Sequence, residues 1–209
     1  MADTSFLNGK HVLMLLAHCD DEIICGWPIF QNKNIKKSVL IVTSDRFNKE
    51  RVQFAHRKFV FNEVCASHGV AGHCMDYNSD FYKLSGRTGQ IKKLHQDLIK
   101  EVDKFRPFDY IFTHNPYGEY GHLDHKYLFD FSFNMVPEKM LVTDIFIESD
   151  WNSLVKPSSR SKDVYFKSPV CEAQINHQSY ADVEKIYRKH NAWTWSSPPV
   201  ESCKLYSIN

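Results

Sequence analysis

The sequence predicts an α/β fold: a three-layer sandwich with a mostly parallel central sheet and helices on both faces. Three observations point there. Short β-branched apolar runs alternate with segments of helical period. Polar clusters rich in His and Asp stand directly behind two of those runs, where open α/β sheets bind their ligands. The 209 residues, 43% hydrophobic and 24% charged, suffice for one sizeable core and are short for two, so residues 1–209 read as a single domain.

The strands come first. Val12–Ala17, Ser38–Thr43, Tyr110–Thr113 and Leu141–Ile147 are short, apolar and bounded by turn residues. Helical patterns lie between and after them at Asp21–Gln31, Lys49–Ser67, Gly89–Phe105, Asp124–Phe133 and Ala181–Asn191. That alternation implies a parallel sheet covered on both sides. Cys74–Arg87 and Trp151–Ser168 lack an apolar face and read as surface loops.

Charge and cysteine content narrow the partners. With 26 basic and 25 acidic residues interspersed, the net charge of +1 leaves no footprint for nucleic acid or an anionic membrane, so a small or neutral partner is expected. The N-terminal apolar run stops at charged residues well short of a membrane span and lacks a basic start. Six cysteines without any CxxC pair suggest reduced thiols rather than a disulfide framework. A cytoplasmic setting is therefore expected.

The first chemical cluster is His18-Cys19-Asp20-Asp21-Glu22, between a strand and a helix. Capping and the helix dipole account for one or two of its carboxylates. They do not account for the imidazole. A histidine before paired aspartates offers a nitrogen ligand, a carboxylate ligand and a second carboxylate to act on water, and spacing alone leaves open which of Asp20 and Asp21 does which.

The second cluster runs from His114 to His125, again behind a strand. Gly118 and Gly121 let its loop approach a site closely. The i,i+3 spacing of His122 and His125 sets both imidazoles on one helical face. His114, closing the strand, is expected in a supporting position.

Ala17-His18-Cys19-Asp20-Asp21-Glu22 resembles the AHPDDE motif, and Gly121-His122-Leu123-Asp124-His125 the GHxDH motif, of the LmbE/PIG-L N-deacetylase family. The resemblance implies a Rossmann-like sandwich in which His18, Asp21 and His125 bind a catalytic Zn2+, with Fe2+ or another divalent metal as the other options. It implies that Asp20 is the general base for water at the metal. His122 would stabilise the oxyanion or protonate the leaving amine, oriented by Asp124. Arg57 resembles an arginine near the substrate in that family, a solvated helix face being its other reading; Tyr117 and Glu119 are also expected at the substrate. The implied substrate is an N-acetylated amino sugar or glycoconjugate.

The chain departs from the motif at Cys19, where the family usually has proline; alternation from His18 turns this thiol away from the metal. The segment Thr43–Lys49 is charged and lacks the family's glycine, which shifts the expected substrate choice. Trp193 and Trp195 lie in Ala192–Pro199, a stretch placed either over the site mouth, as a packed tail, or at a subunit contact in a homo-oligomer. Two other readings compete: a non-haem iron(II) oxygenase using His18-Cys19-Asp20 with a distant histidine, and a sugar-binding protein that keeps the fold without turnover.

Overall fold

The computed structural model describes residues 4–44, 56–86, 88–145, 169–193, 195 and 199–208. Among them, β1 (His11–Leu16) pairs in parallel with β2 (Lys36–Thr43) on one side and β4 (Tyr110–Phe112) on the other. β3 (Ala71–Tyr77) continues the parallel set beyond β2, and β5 (Met140–Thr143) beyond β4. β7 (Ser202–Ile208) runs antiparallel beside β5, and β6 (Cys171–Gln174) antiparallel beside β7. The order is β3-β2-β1-β4-β5-β7-β6, a mostly parallel sheet within an α/β fold. The chain direction across the sheet reverses between β1 and β4, so a crevice opens beyond their carboxyl ends.

The central strand shows why both faces are covered. Val12, Met14 and Leu16 enter one core with Trp27, Phe30, Phe61 and Tyr187, whereas Leu13, Leu15 and Ala17 enter the other with Leu94, Leu98 and Phe129. Alternation along one strand thus feeds two cores. Helices α1 (Asp21–Ile24), α2 (Trp27–Phe30), α3 (Arg57–Ser67) and α7 (His177–Lys189) supply residues to the first; α4 (Thr88–Asp103) and α6 (Leu123–Met135) supply the second. The four-residue α5 (Gly118–Gly121) joins the crevice to α6.

Several elements differ from the expectation. The helix predicted over Asp21–Gln31 is broken at Gly26, where a Cβ would stand 2.5 Å from Met14 Cε and 3.0 Å from Glu22 O. A side chain there would press on the tip of Met14 from β1 and on the backbone of α1. Residues 71–77, whose second half was expected to be loop, form β3, which escapes the apolar pattern because it is an edge strand with five of its seven residues partly or fully exposed. α7 starts earlier than Ala181, since Asn176 accepts the Ser179 N–H at 3.0 Å and caps it. The expected helix over Lys49–Ser67 is seen from Arg57; its beginning, the end of the run to Ile147 and the loop Trp151–Ser168 lie outside the described residues. No helix among the described residues is long and apolar enough to cross a membrane.

Candidate metal centre

His18 and His114 each stand two residues beyond the ends of β1 and β4, on either side of the crevice. The chain leaves β1 through a tight turn in which Asp20 takes φ 120, a region non-glycine residues rarely enter. Its carbonyl accepts the N–H groups of Ile23 and Ile24 and starts α1. Across that turn Asp21 Oδ2 accepts the His18 N–H at 2.7 Å, which brings both side chains to one point.

Three donor atoms meet there. His18 Nδ1 lies 3.2 Å from His125 Nε2 and 3.3 Å from Asp21 Oδ2, and the last two atoms are 3.5 Å apart. Ligands at about 2.0–2.1 Å in a tetrahedron stand roughly 3.3–3.4 Å from one another. The far nitrogen of each imidazole meets a carboxylate: His18 Nε2 faces Asp124 Oδ2 at 3.3 Å, and His125 Nδ1 faces Glu119 Oε2 at 2.6 Å. Carboxylate backing of this kind fixes ring orientation in metal sites.

The charge balance also suits a cation. All five buried carboxylates among the described residues, Asp20, Asp21, Glu22, Glu119 and Asp124, belong to this neighbourhood, and Arg57 is the buried guanidinium beside them. Burial lowers the His18 pKa, but the carboxylates of Asp124 and Asp21 outweigh it and raise the group to about 9. At His125 burial is likewise outweighed, by Asp21 and Glu119, and the group rises to about 10. Burial works against the Asp21 carboxylate, yet His125 and His18 hold it well below the usual range. Burial pushes Glu22 up to about 8.

Other groupings of donors are less open. Two further sets within reach of one ion include His114, namely Asp21 with His125 and Cys25 with Glu119. But His114 Nε2 accepts the Ala17 N–H at 3.0 Å and its Nδ1–H donates to Glu119 Oε2 at 3.0 Å, so neither nitrogen is spare. His114 instead stacks on His125, centroids 3.7 Å apart. His122 comes close to His18 and His125 as well, but its Nδ1 accepts the Asp124 N–H at 3.2 Å as the cap of α6. Burial, with His125 and His18 nearby, lowers His122 to about 3, leaving a neutral ring with its proton on Nε2.

Glu119 and Asp124 sit differently from the expectation, Arg57 departs only from its solvated reading, and Cys19 turns away from His18 as expected. Glu119 does not face a substrate: it is buried, and its oxygens accept from His125, His114 and the Asn115 N–H. Asp124 does not orient His122 through its carboxylate, which faces His18 and accepts the N–H groups of Asp80 and Tyr82 at 2.7 and 2.8 Å. Arg57 is no solvated helix residue; it is buried, and its Nη2 donates to Asp20 Oδ2 at 2.8 Å. Cys19 turns to Cys74, Sγ to Sγ 3.4 Å, on β3. Tyr117 is half-buried at the start of α5, its N–H donating to Asn115 Oδ1.

The open side is aromatic. Tyr120 stands edge-on to His125 and His122, centroids 5.6 and 5.9 Å away, and Trp195 packs against Tyr120 at 5.1 Å. Tyr120, His122 and Trp195 are half-buried, whereas His18, Asp21 and His125 are buried. Sequence reasoning does not find Tyr187, whose hydroxyl donates to Glu22 Oε1 at 2.5 Å. Nothing local marks Tyr187, which lies 165 residues from Glu22.

Two solved structures match this arrangement of strands and helices. One is the A40926 pseudoaglycone deacetylase Dbv21, with a TM-score of 0.61 and 11% identity over 87% of this chain and 81% of that one. The other is a triple mutant of the deacetylase Orf2* of the teicoplanin biosynthetic pathway, with a TM-score of 0.57 and 13% identity over 87% of this chain and 82% of that one. The chain shares the fold of these two deacetylases. No family model matches the sequence. By sequence the chain is similar to the uncharacterized protein L374 of Acanthamoeba polyphaga mimivirus, 24% identical over 136 residues. That match spans 61% of this chain and 59% of the viral protein.

Proposed function

We propose that this protein is a metal-dependent hydrolase that removes an N-acetyl or related acyl group from an amino sugar or its conjugate. The convergence of His18 Nδ1, Asp21 Oδ2 and His125 Nε2 within 3.2–3.5 Å, on the fold of two deacetylases, carries the reading. Those three residues would hold Zn2+ or Fe2+. A cation of that kind polarises an amide carbonyl and lowers the pKa of a coordinated water to about 7.

This chain's own residues supply the proton handling. Asp20, the carboxylate of the motif that is not part of the trio, takes the proton of the attacking water and passes it to the leaving amine. His122, neutral with its proton on Nε2, donates a hydrogen bond to the developing oxyanion. Glu119 and Asp124 keep the imidazoles of His125 and His18 aimed.

An aromatic rim of Tyr120 and Trp195 suits the apolar face of a sugar ring, and one structural neighbour deacetylates a pseudoaglycone. Near-neutral net charge and six free cysteines support a neutral small-molecule partner and a cytoplasmic setting, with residues 1–209 as one catalytic domain. The iron-oxygenase reading needs Asp20 as a ligand, whereas the carboxylate that lies beside His18 and His125 is that of Asp21.

The test is release of free amine from N-acetylated amino sugars, sugar nucleotides and glycosides by protein loaded with Zn2+ or Fe2+. Turnover that disappears in Asp20→Asn is expected. Metal binding with no amine released from any member favours the non-catalytic sugar-binding reading.

A further inference from the structure

Asp20 occupies a backbone conformation that its own side chain disfavours, and its carboxylate makes no cap bond to α1. Distant residues hold it instead. Its N–H donates to Glu22 Oε2 at 3.0 Å, and the other Glu22 oxygen accepts the Tyr187 hydroxyl at 2.5 Å. Its Oδ2 accepts Arg57 Nη2 at 2.8 Å, while Arg57 Nε donates to the Ala192 carbonyl at 3.3 Å. The Ala192 N–H in turn donates to the Tyr187 carbonyl at 2.9 Å. These bonds close a ring: Asp20, Glu22, Tyr187, Ala192, Arg57 and back to Asp20.

Every member is buried, with Glu22, Tyr187 and Ala192 at 0% exposure. In a dry interior such a ring is worth making only if all its groups are paired, and here each side chain of the ring has a partner. The ring gathers the start of α3 and the end of α7 onto the turn that follows β1.

We propose that this ring is a clamp that positions Asp20 for proton transfer, making Tyr187, Glu22 and Arg57 positioning residues rather than groups that touch substrate. The proposal rests on the assignment of Asp20 as the base. A base held to its productive geometry loses rate steeply when displaced, about 100-fold for a shift near 1 Å. Loss of one bond of the clamp should therefore lower kcat and leave KM and metal content where they were.

The experiment compares Tyr187→Phe, Arg57→Ala, Arg57→Lys and Asp20→Asn, using whichever N-acetylated amino sugar the parent turns over. It also reads hydrogen exchange at the Asp20 amide by NMR, which needs no substrate. Tyr187→Phe should lower kcat about tenfold with KM within about twofold, and Arg57→Ala should lower it about 100-fold with partial recovery in Arg57→Lys. The Asp20 amide should exchange faster in Tyr187→Phe. An unchanged exchange rate overturns the clamp, as does a rise in KM without loss of kcat in Arg57→Ala, which would make Arg57 a substrate contact. Inactive Asp20→Asn beside unaffected Tyr187→Phe and Arg57→Ala overturns the clamp alone. A fully active Asp20→Asn overturns the base assignment and the clamp together.

Discussion

At the scale of residues, the candidate centre is a set of donors whose orientations are decided by their second contacts. His125 is gripped from behind by Glu119 at 2.6 Å and flanked by the His114 ring, so its Nε2 has one direction left to face. Replacing Glu119 by Gln keeps the size and removes the charge that aligns that ring. Metal affinity should fall about 10–100-fold, as it does when such outer partners are lost, and competition with a chromogenic chelator measures it. An affinity equal to the parent's would mean that packing alone orients His125. The donor residues His18, Asp21 and His125 were legible in two short motifs, because strand-to-helix junctions put polar residues at a crevice by local rules. Their supports were not legible, since His18 and Asp124 lie 106 positions apart and the family resemblance implied His122 as the partner of Asp124 instead.

At the scale of elements, the segment between β1 and α2 that delivers His18 and Asp21 is tightly constrained. Gly26 is in direct contact with Met14 of β1 and with the backbone of Glu22. Gly26→Ala should destabilise the fold by about 1–3 kcal/mol, the usual cost of overpacking, seen as a lower midpoint in urea at an unchanged slope. A stability within about 0.3 kcal/mol of the parent would show that Met14 can move aside, as a flexible side chain can. The helix predicted here ignored Gly26 because a glycine inside a helical period costs only about 1 kcal/mol on propensity grounds. β3 and β7 were missed for related reasons: β3 is a partly exposed edge strand, and β7, Ser202–Ile208, mixes polar and apolar residues until pairing with β5 and β6 defines it.

At the scale of the whole molecule, the centre ties together parts far apart in the chain: β1 and its turn, the loop behind β4, the start of α6 and the Asp80–Tyr82 backbone that docks on Asp124. A cation bound there should stabilise the native state as a unit. At about 1,000 times its dissociation constant a ligand adds roughly 4 kcal/mol, which for a domain of this size raises Tm by about 8–16 °C. Thermal unfolding with Zn2+ against unfolding with EDTA measures it, and His125→Ala should abolish the difference. A full shift retained in His125→Ala would place the ion elsewhere.

By itself the sequence determined the α/β class, the central strands and the two motifs whose side chains meet at the candidate centre, because apolar periodicity and strand-end polarity are local signals that survive without a partner. The tertiary structure decided which atoms meet. It placed Asp21 with His18 and His125, turned Asp20 toward Arg57, gave Glu119 and Asp124 other partners than the resemblance implied, and brought Tyr187 to Glu22. Burial is the reason. A carboxylate removed from water must find its partner wherever the packed chain supplies one, and that partner is set by the fold rather than by the residue beside it.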